Sequence, residues 1–148
     1  MKGRLFLVGG SAFLVMVVMT AKVWALVPEV TIQVDRGSYP IIHGQTNMPV
    51  GTILTVTVRI PGQYGGMQNV VVGVNGGFAS TRFSVNGERP LPSGKASVEV
   101  SSHLPQLQAE SVRAVIGQRG ENLEGPLVYS LPGIGGRMIK TTSTLQIP

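Results

Sequence analysis

The sequence predicts an all-β fold: about seven to nine short antiparallel strands in two packed sheets, preceded by an N-terminal signal helix. Three observations carry that expectation. Apolar residues recur at every second position more often than at helical spacing, as in half-buried strands. Valine, isoleucine and threonine abound, and β-branched side chains suit a pleated surface. The 20 glycines and 10 prolines place turn signals every ~8–12 residues. Alternating strands need only one buried face, which suits two stacked sheets; a small closed barrel is the alternative.

The expected elements follow in order. Val30–Val34 is a strand with Val30, Ile32 and Val34 on one face. Asp35–Ser38 is a turn, and Tyr39–Thr46 a strand interrupted by Pro40 and Gly44. Thr52–Ile60 alternates most cleanly, with Leu54, Val56, Val58 and Ile60 facing one way. Pro61–Gly66 closes it. Gln68–Val74 and Phe78–Val85 read as a hairpin around Asn75-Gly76-Gly77, because Asn-Gly favours positive φ in tight turns. Phe78 and Phe83 are five apart, so one is exposed or a bulge near Ala79-Ser80 restores the register. Lys95–Ser101 is a strand with Val98 and Val100 inward. Leu104–Glu110 is ambiguous, with room for one helical turn after Pro105. Ser111–Gly117, led by Val112, Ala114 and Ile116, reads as a strand, and Leu127–Leu131 as a short one. Met138–Ile147 is the last strand, and its polar middle, Thr141 to Ser143, suggests an edge.

The N-terminus reads as an export signal. Lys2 and Arg4 precede an uncharged stretch, Leu5–Met19, shorter than the ~20 residues a membrane span needs. Val23 and Ala25 occupy the −3 and −1 places of a small-residue cleavage site, which puts the cut after Ala25. Residues 1–25 are then a signal peptide and 26–148 a single domain. The alternative is an uncleaved anchor running through Trp24 and Val27, with Lys22 snorkelling near its end. Lipid anchoring through cysteine is excluded, because the chain has none.

The formal charge of +5 suggests nucleic acid less than it first implies. Lys2, Arg4 and Lys22 lie in the leader, and the remaining nine cations face seven anions. Those cations are scattered singly, without the clustered basic face that nucleic-acid binding uses. The lack of cysteine also excludes disulfide staples, thiol catalysis and cysteine metal sites.

Gly77-Phe78, then Leu91-Pro92-Ser93-Gly94 feeding the alternating Ser97-Val98-Glu99-Val100, resembles bacterial exported immunoglobulin-like and carboxypeptidase-regulatory-like sandwiches. In those a Pro-x-Gly turn launches a late strand. Gly44-Gln45-Thr46-Asn47 through Thr52–Val56 resembles their early hairpin. The likeness spans roughly Val30 to Val100, with Ala96 where such domains often carry an aromatic. It implies an immunoglobulin-like antiparallel β-sandwich and a role outside catalysis, since few of these domains are enzymes.

Candidate chemistry is sparse. A metal site would need both His43 and His103 with a carboxylate such as Glu99 or Asp35, and the sequence gives them no ligand spacing. Asp35, Ser38 and His43 could be imagined as a hydrolytic triad, without a nucleophile-elbow signature. Glu121 and Glu124 could act as paired carboxylates, though a solvated loop explains them more simply. Gly133-Ile134-Gly135-Gly136 lacks the Lys-Ser/Thr that completes a phosphate loop. Tyr64 is the best candidate for a sugar platform, against a loop-packing role. Any binding surface is expected on the loops Pro61–Gly66, Gln118–Pro126 and Pro132–Arg137. No catalytic residue, metal or cofactor is expected. The expectation is a periplasmic or secreted, non-enzymatic binding or scaffolding module of the bacterial envelope. Its partner would be another envelope protein, with no nucleic acid, and the membrane is touched only if the leader stays uncleaved. The alternatives are an inhibitor or accessory subunit inserting Gly62–Met67, or a hydrolase.

Overall fold

The computed structural model describes residues 25–148. The expected signal segment and the choice between cleavage and anchoring lie almost wholly outside them. Among the described residues no helix is long and apolar enough to cross a membrane.

Among the described residues eight strands form two antiparallel sheets. One has the order β1 (Val30–Asp35), β2 (Ile41–Thr46), β5 (Gly77–Ala79). The other has the order β4 (Tyr64–Val71), β3 (Ile53–Ile60), β6 (Gly94–Ser102), β8 (Arg137–Ile147), β7 (Val128–Ser130). The core lies between them. Ile42 and Phe78 from the first sheet meet Leu54, Val56, Val58, Val98, Val100 and Leu145 from the second. β3 and β6 each have neighbours on both sides, and their inward side chains are buried. The all-β expectation therefore holds.

The β3–β4 hairpin is tighter than expected. Pro61 and Gly62 occupy the central places of a turn closed by the Gln63 N–H donating to the Ile60 carbonyl, 3.0 Å. Gly62 has φ +72°, the conformation that position requires of a type II turn. The ladder resumes at Tyr64, so the second half of Pro61–Gly66 is strand.

The predicted hairpin at Asn75-Gly76-Gly77 is not one. The turn exists: the Gly73 N–H donates to the Gly77 carbonyl, 2.9 Å. Gly76 has φ +76°, and a Cβ there would overlap the Thr46 carbonyl oxygen. Its two flanks belong to different sheets, however, β4 pairing with β3 and β5 with β2. The turn carries the chain across the sandwich. Phe78 and Phe83 are both buried. The Ser80 N–H meets the Ile42 carbonyl and the Phe83 N–H the Pro40 carbonyl, 2.8 and 2.9 Å. Three residues on one side thus span two on the other, so the extra residue falls at Thr81-Arg82, just past the expected place.

Ser111–Gly117, expected as a strand, is helical: α1 spans Glu110–Ile116. Val112 and Ile116 are four apart and share one helix face, and both are buried while Ala114 is exposed. Arg113 fixes the helix by donating to the Gln106 and Gln108 carbonyls and pairing with Glu110 at 3.0 Å. A 3-10 turn at Pro105–Leu107 precedes it, as expected.

The last strand is an edge over only part of its length. β7 covers Arg137–Ile139, and from Lys140 onward β6 is its only ladder partner.

Candidate functional site

The structure separates the two histidines. His43 stands on β2, where its Nε2 lies 3.2 Å from the Asp35 carboxylate on the exposed face of the smaller sheet. His103 follows β6 in the other sheet, with Nε2 3.0 Å from Thr55 Oγ1 and 3.1 Å from Asn69 Oδ1. The Thr55 hydroxyl also donates to Asn69 Oδ1, 3.0 Å, closing a local polar triangle. Among the described residues no three His, Cys, Asp or Glu gather as a metal site would need. Asp35 and His43 do meet, but Ser38 makes no hydrogen bond to His43. Its carbonyl instead accepts the Leu91 N–H.

The other candidates are tied into local structure. Glu121 Oε2 accepts the Arg119 N–H at 2.8 Å. Main-chain N–H groups of Glu121 itself and Arg119 hold this carboxyl below the usual glutamate range. A general acid would need the opposite shift. Gly133–Gly136 forms a turn before β8, exposed at Gly133 and Ile134 and half-buried at Gly135 and Gly136. Tyr64 is half-buried, and its hydroxyl donates to the Ser84 carbonyl, 3.3 Å. Burial raises its phenol. Tyr64 thus packs the β4 edge. Gly62–Met67 is no free loop, since Tyr64 onward lies in the ladder, though Met67 is 73% exposed.

The three loops do not converge. The strand registers place the Pro61–Gln63 turn at the end of the sandwich where β6 begins and β8 finishes. Gln118–Pro126 and Pro132–Arg137 lie at the opposite end, joined by the Arg137 N–H donating to the Arg119 carbonyl, 2.8 Å. A Gln missed in the sequence closes that end. Buried Gln108 accepts the Ile53 N–H at 2.8 Å and donates to the Ile53 carbonyl at 3.0 Å, completing the ladder where β6 stops.

The unsatisfied feature is lateral, not at the loops. β1 edges the smaller sheet, and the far half of β8 edges the larger. Between them lies a cleft of about 290 Å³ lined by Ile32, Val34, Arg36 and residues 143–146. Main-chain groups alternate sides along a strand. The Lys140 N–H donates to the Leu127 carbonyl, away from β6. With a continuous register to Ile147, the N–H and C=O groups of Thr142, Thr144 and Gln146 face away from β6 too. On the other sheet, Ile42 hydrogen-bonds Ser80 on the β5 side. Ile41, His43 and Gln45 therefore serve β1 through Asp35, Gln33 and Thr31. Val30, Ile32 and Val34 are left with main-chain groups directed outward. None of these six residues has a main-chain partner on its free side among the described residues. Ser143 shares the inward parity of Leu145 and Ile147, yet it is exposed where both of them are buried.

Comparison of the chain with protein-family models, with curated proteins and with solved structures finds no match.

Proposed function

We propose that the chain is an exported, non-enzymatic binding or scaffolding module of the bacterial cell envelope, built on an immunoglobulin-like sandwich. It acts in the periplasm or outside the cell, with another envelope protein as its partner. The observation that carries the reading stands at the start of the module. Leu26, the first residue after the expected cut, donates its N–H to the Asn122 carbonyl at 2.8 Å. Its own carbonyl accepts the Glu124 N–H at 3.0 Å. A cut after Ala25 therefore spares the docking of Leu26, and the leader pattern of Lys2 to Ala25 supplies the export signal. The half-open sandwich supports a binding role, because an unpaired edge is a template for another chain.

The test is expression of the full chain in a two-membrane bacterial host, followed by fractionation and intact mass. The expected product is soluble, periplasmic and begins at Leu26. Full-length chain held in the inner membrane with a periplasmic domain would replace cleavage by tethering. Full-length chain in the cytoplasm would contradict export. The second reading, an inhibitor or accessory subunit, is favoured by the exposed Met67. Partner binding that survives Met67→Ala would remove it.

A further inference from the structure

We propose that the cleft between β1 and β8 is a strand-acceptor site, which takes an extended acidic segment of a partner protein as an added β-strand. The proposal deepens the binding-module reading and rests on it. The open main-chain edge of β8 dictates the ligand's form. β1 comes within 8 Å of β8, less than the two strand spacings that pairing to both would need, so the added strand pairs with β8 and borders β1. Thr142, Thr144 and Gln146 offer the donors and acceptors, and Val30, Ile32 and Val34 stand on the bordering edge. Only a polypeptide in extended conformation presents main-chain groups at the matching repeat.

The side chains dictate the ligand's pattern. Ile32, Val34 and Leu145 border the cleft on its core side, and Ser143 there is uncovered. An inserted strand would place apolar residues inward at alternate positions and polar ones outward, beside Thr142, Thr144 and Gln146. Charge dictates the rest. Arg36 is the only charged residue lining the cleft, and it has no ion pair among the described residues. Lys95 stands opposite Gln146, and Arg59 lies one strand beyond Ser97, which faces Thr144. The one carboxylate among the outward residues of β6, Glu99, stands opposite Thr142, towards the other end. Asp35, next to Arg36, lies 3.2 Å from His43 on the outer face of the smaller sheet. Arg36, Lys95 and Arg59 therefore outnumber it at the Arg36 end, and the complementary segment carries carboxylates there.

The opposite flank shows what a filled edge looks like in this same molecule. There residues 80–84 run beside β4, and Gln68 accepts the Thr81 N–H and hydroxyl, both at 2.9 Å, and donates to its carbonyl. The chain covers that edge with its own segment, and among the described residues the β1–β8 edge is bare.

The probe is a blocked peptide of alternating valine and threonine, about six residues long and closed by two aspartates, added to the exported protein. The readout is residue-resolved amide hydrogen exchange. Protection at Thr142, Thr144 and Gln146 should rise at least about tenfold, with Ser143 and Leu145 unchanged. The same peptide N-methylated at alternate residues should give no protection, and a lysine-closed version should bind weakly. Arg36→Glu should reverse that charge preference. Thr144→Pro removes only an outward N–H and should abolish binding without lowering the melting temperature. Equal protection by the N-methylated peptide, or none by any peptide, would overturn the proposal. Protection that grows with protein concentration alone would overturn it in favour of a second copy. Protection present without peptide and lost on truncation to Leu26 would assign the cleft to the chain's own leader, against the proposal. A natural envelope partner that still binds Thr144→Pro would sink the strand site while leaving the binding-module reading standing.

Discussion

The two flanks of the sandwich solve the same problem in opposite ways. Each flank is a place where two sheets end and main-chain groups lose their ladder partners. On the β4–β5 flank the chain folds residues 80–85 over the gap. Ser80 bonds Ile42 twice, Phe83 enters the core, and Gln68 and Tyr64 tie the segment to β4. On the β1–β8 flank no segment among the described residues does the same, and Ile32, Val34 and Ser143 border an open cleft. The difference shows that the open flank is not a general consequence of a small sandwich. The same chain has the means to close an edge, and its described residues use them on one side only.

The largest contrast should come from core truncations. Phe83→Ala removes the aromatic that anchors the closed flank and should cost ~3–5 kcal/mol in urea denaturation. Leu145→Ala, buried beside the cleft, should cost less, ~2–3 kcal/mol, because one wall of its site is already solvent. Equal losses would mean that the cleft is packed shut in solution.

Neighbouring proline substitutions sharpen the comparison within one strand. Ser143 directs its N–H toward β6, so Ser143→Pro should lose a ladder bond and destabilise by at least ~1 kcal/mol. Thr144→Pro should stay within ~0.5 kcal/mol, as at an unpaired surface position. The reverse order, measured by thermal unfolding, would refute the assignment of sides. On the closed flank, Gln68→Ala should cost ~1–2 kcal/mol through its lost bonds to Thr81, and should speed amide exchange at Thr81.

Much of this was legible in the sequence, and the failures have physical causes. Thr141 to Ser143 marked an edge correctly, because polar residues on an inward face tolerate only an open side. The alternation of Leu54 to Ile60 placed β3. Asn75-Gly76 was misread because turn chemistry is local, whereas the sheet that receives each flank is decided by distant pairing. Val112, Ala114 and Ile116 fit a strand and a helix equally over so short a stretch, and packing decided between them. Gln108 left no signal at all, since a glutamine that completes a ladder looks like any other. The lateral cleft was half visible: its β8 side could be read, but its β1 side depends on which residues of β2 face β5.

The smallest effect lies in acid. The Glu121 carboxyl is held below its ordinary range by main-chain N–H groups. Its contribution is therefore complete above the unfolded value of ~4.3 and is lost as pH falls through the lower folded value. Glu121→Gln should lower the melting temperature slightly at neutral pH, leave it unchanged in strong acid, and so flatten the acid limb of the profile. Because this turn lies away from both flanks, neither the Phe83 nor the Thr144 effect should change with it.

The central claim is that β8 changes from doubly to singly paired at Lys140. Residue-resolved amide exchange on the unliganded protein tests it most directly. The account predicts protection at Met138, Ile139, Lys140 and Thr141. It then predicts strict alternation, with Thr142, Thr144 and Gln146 fast and Ser143, Leu145 and Ile147 slow. Uniform protection through Ile147 at every protein concentration would contradict it.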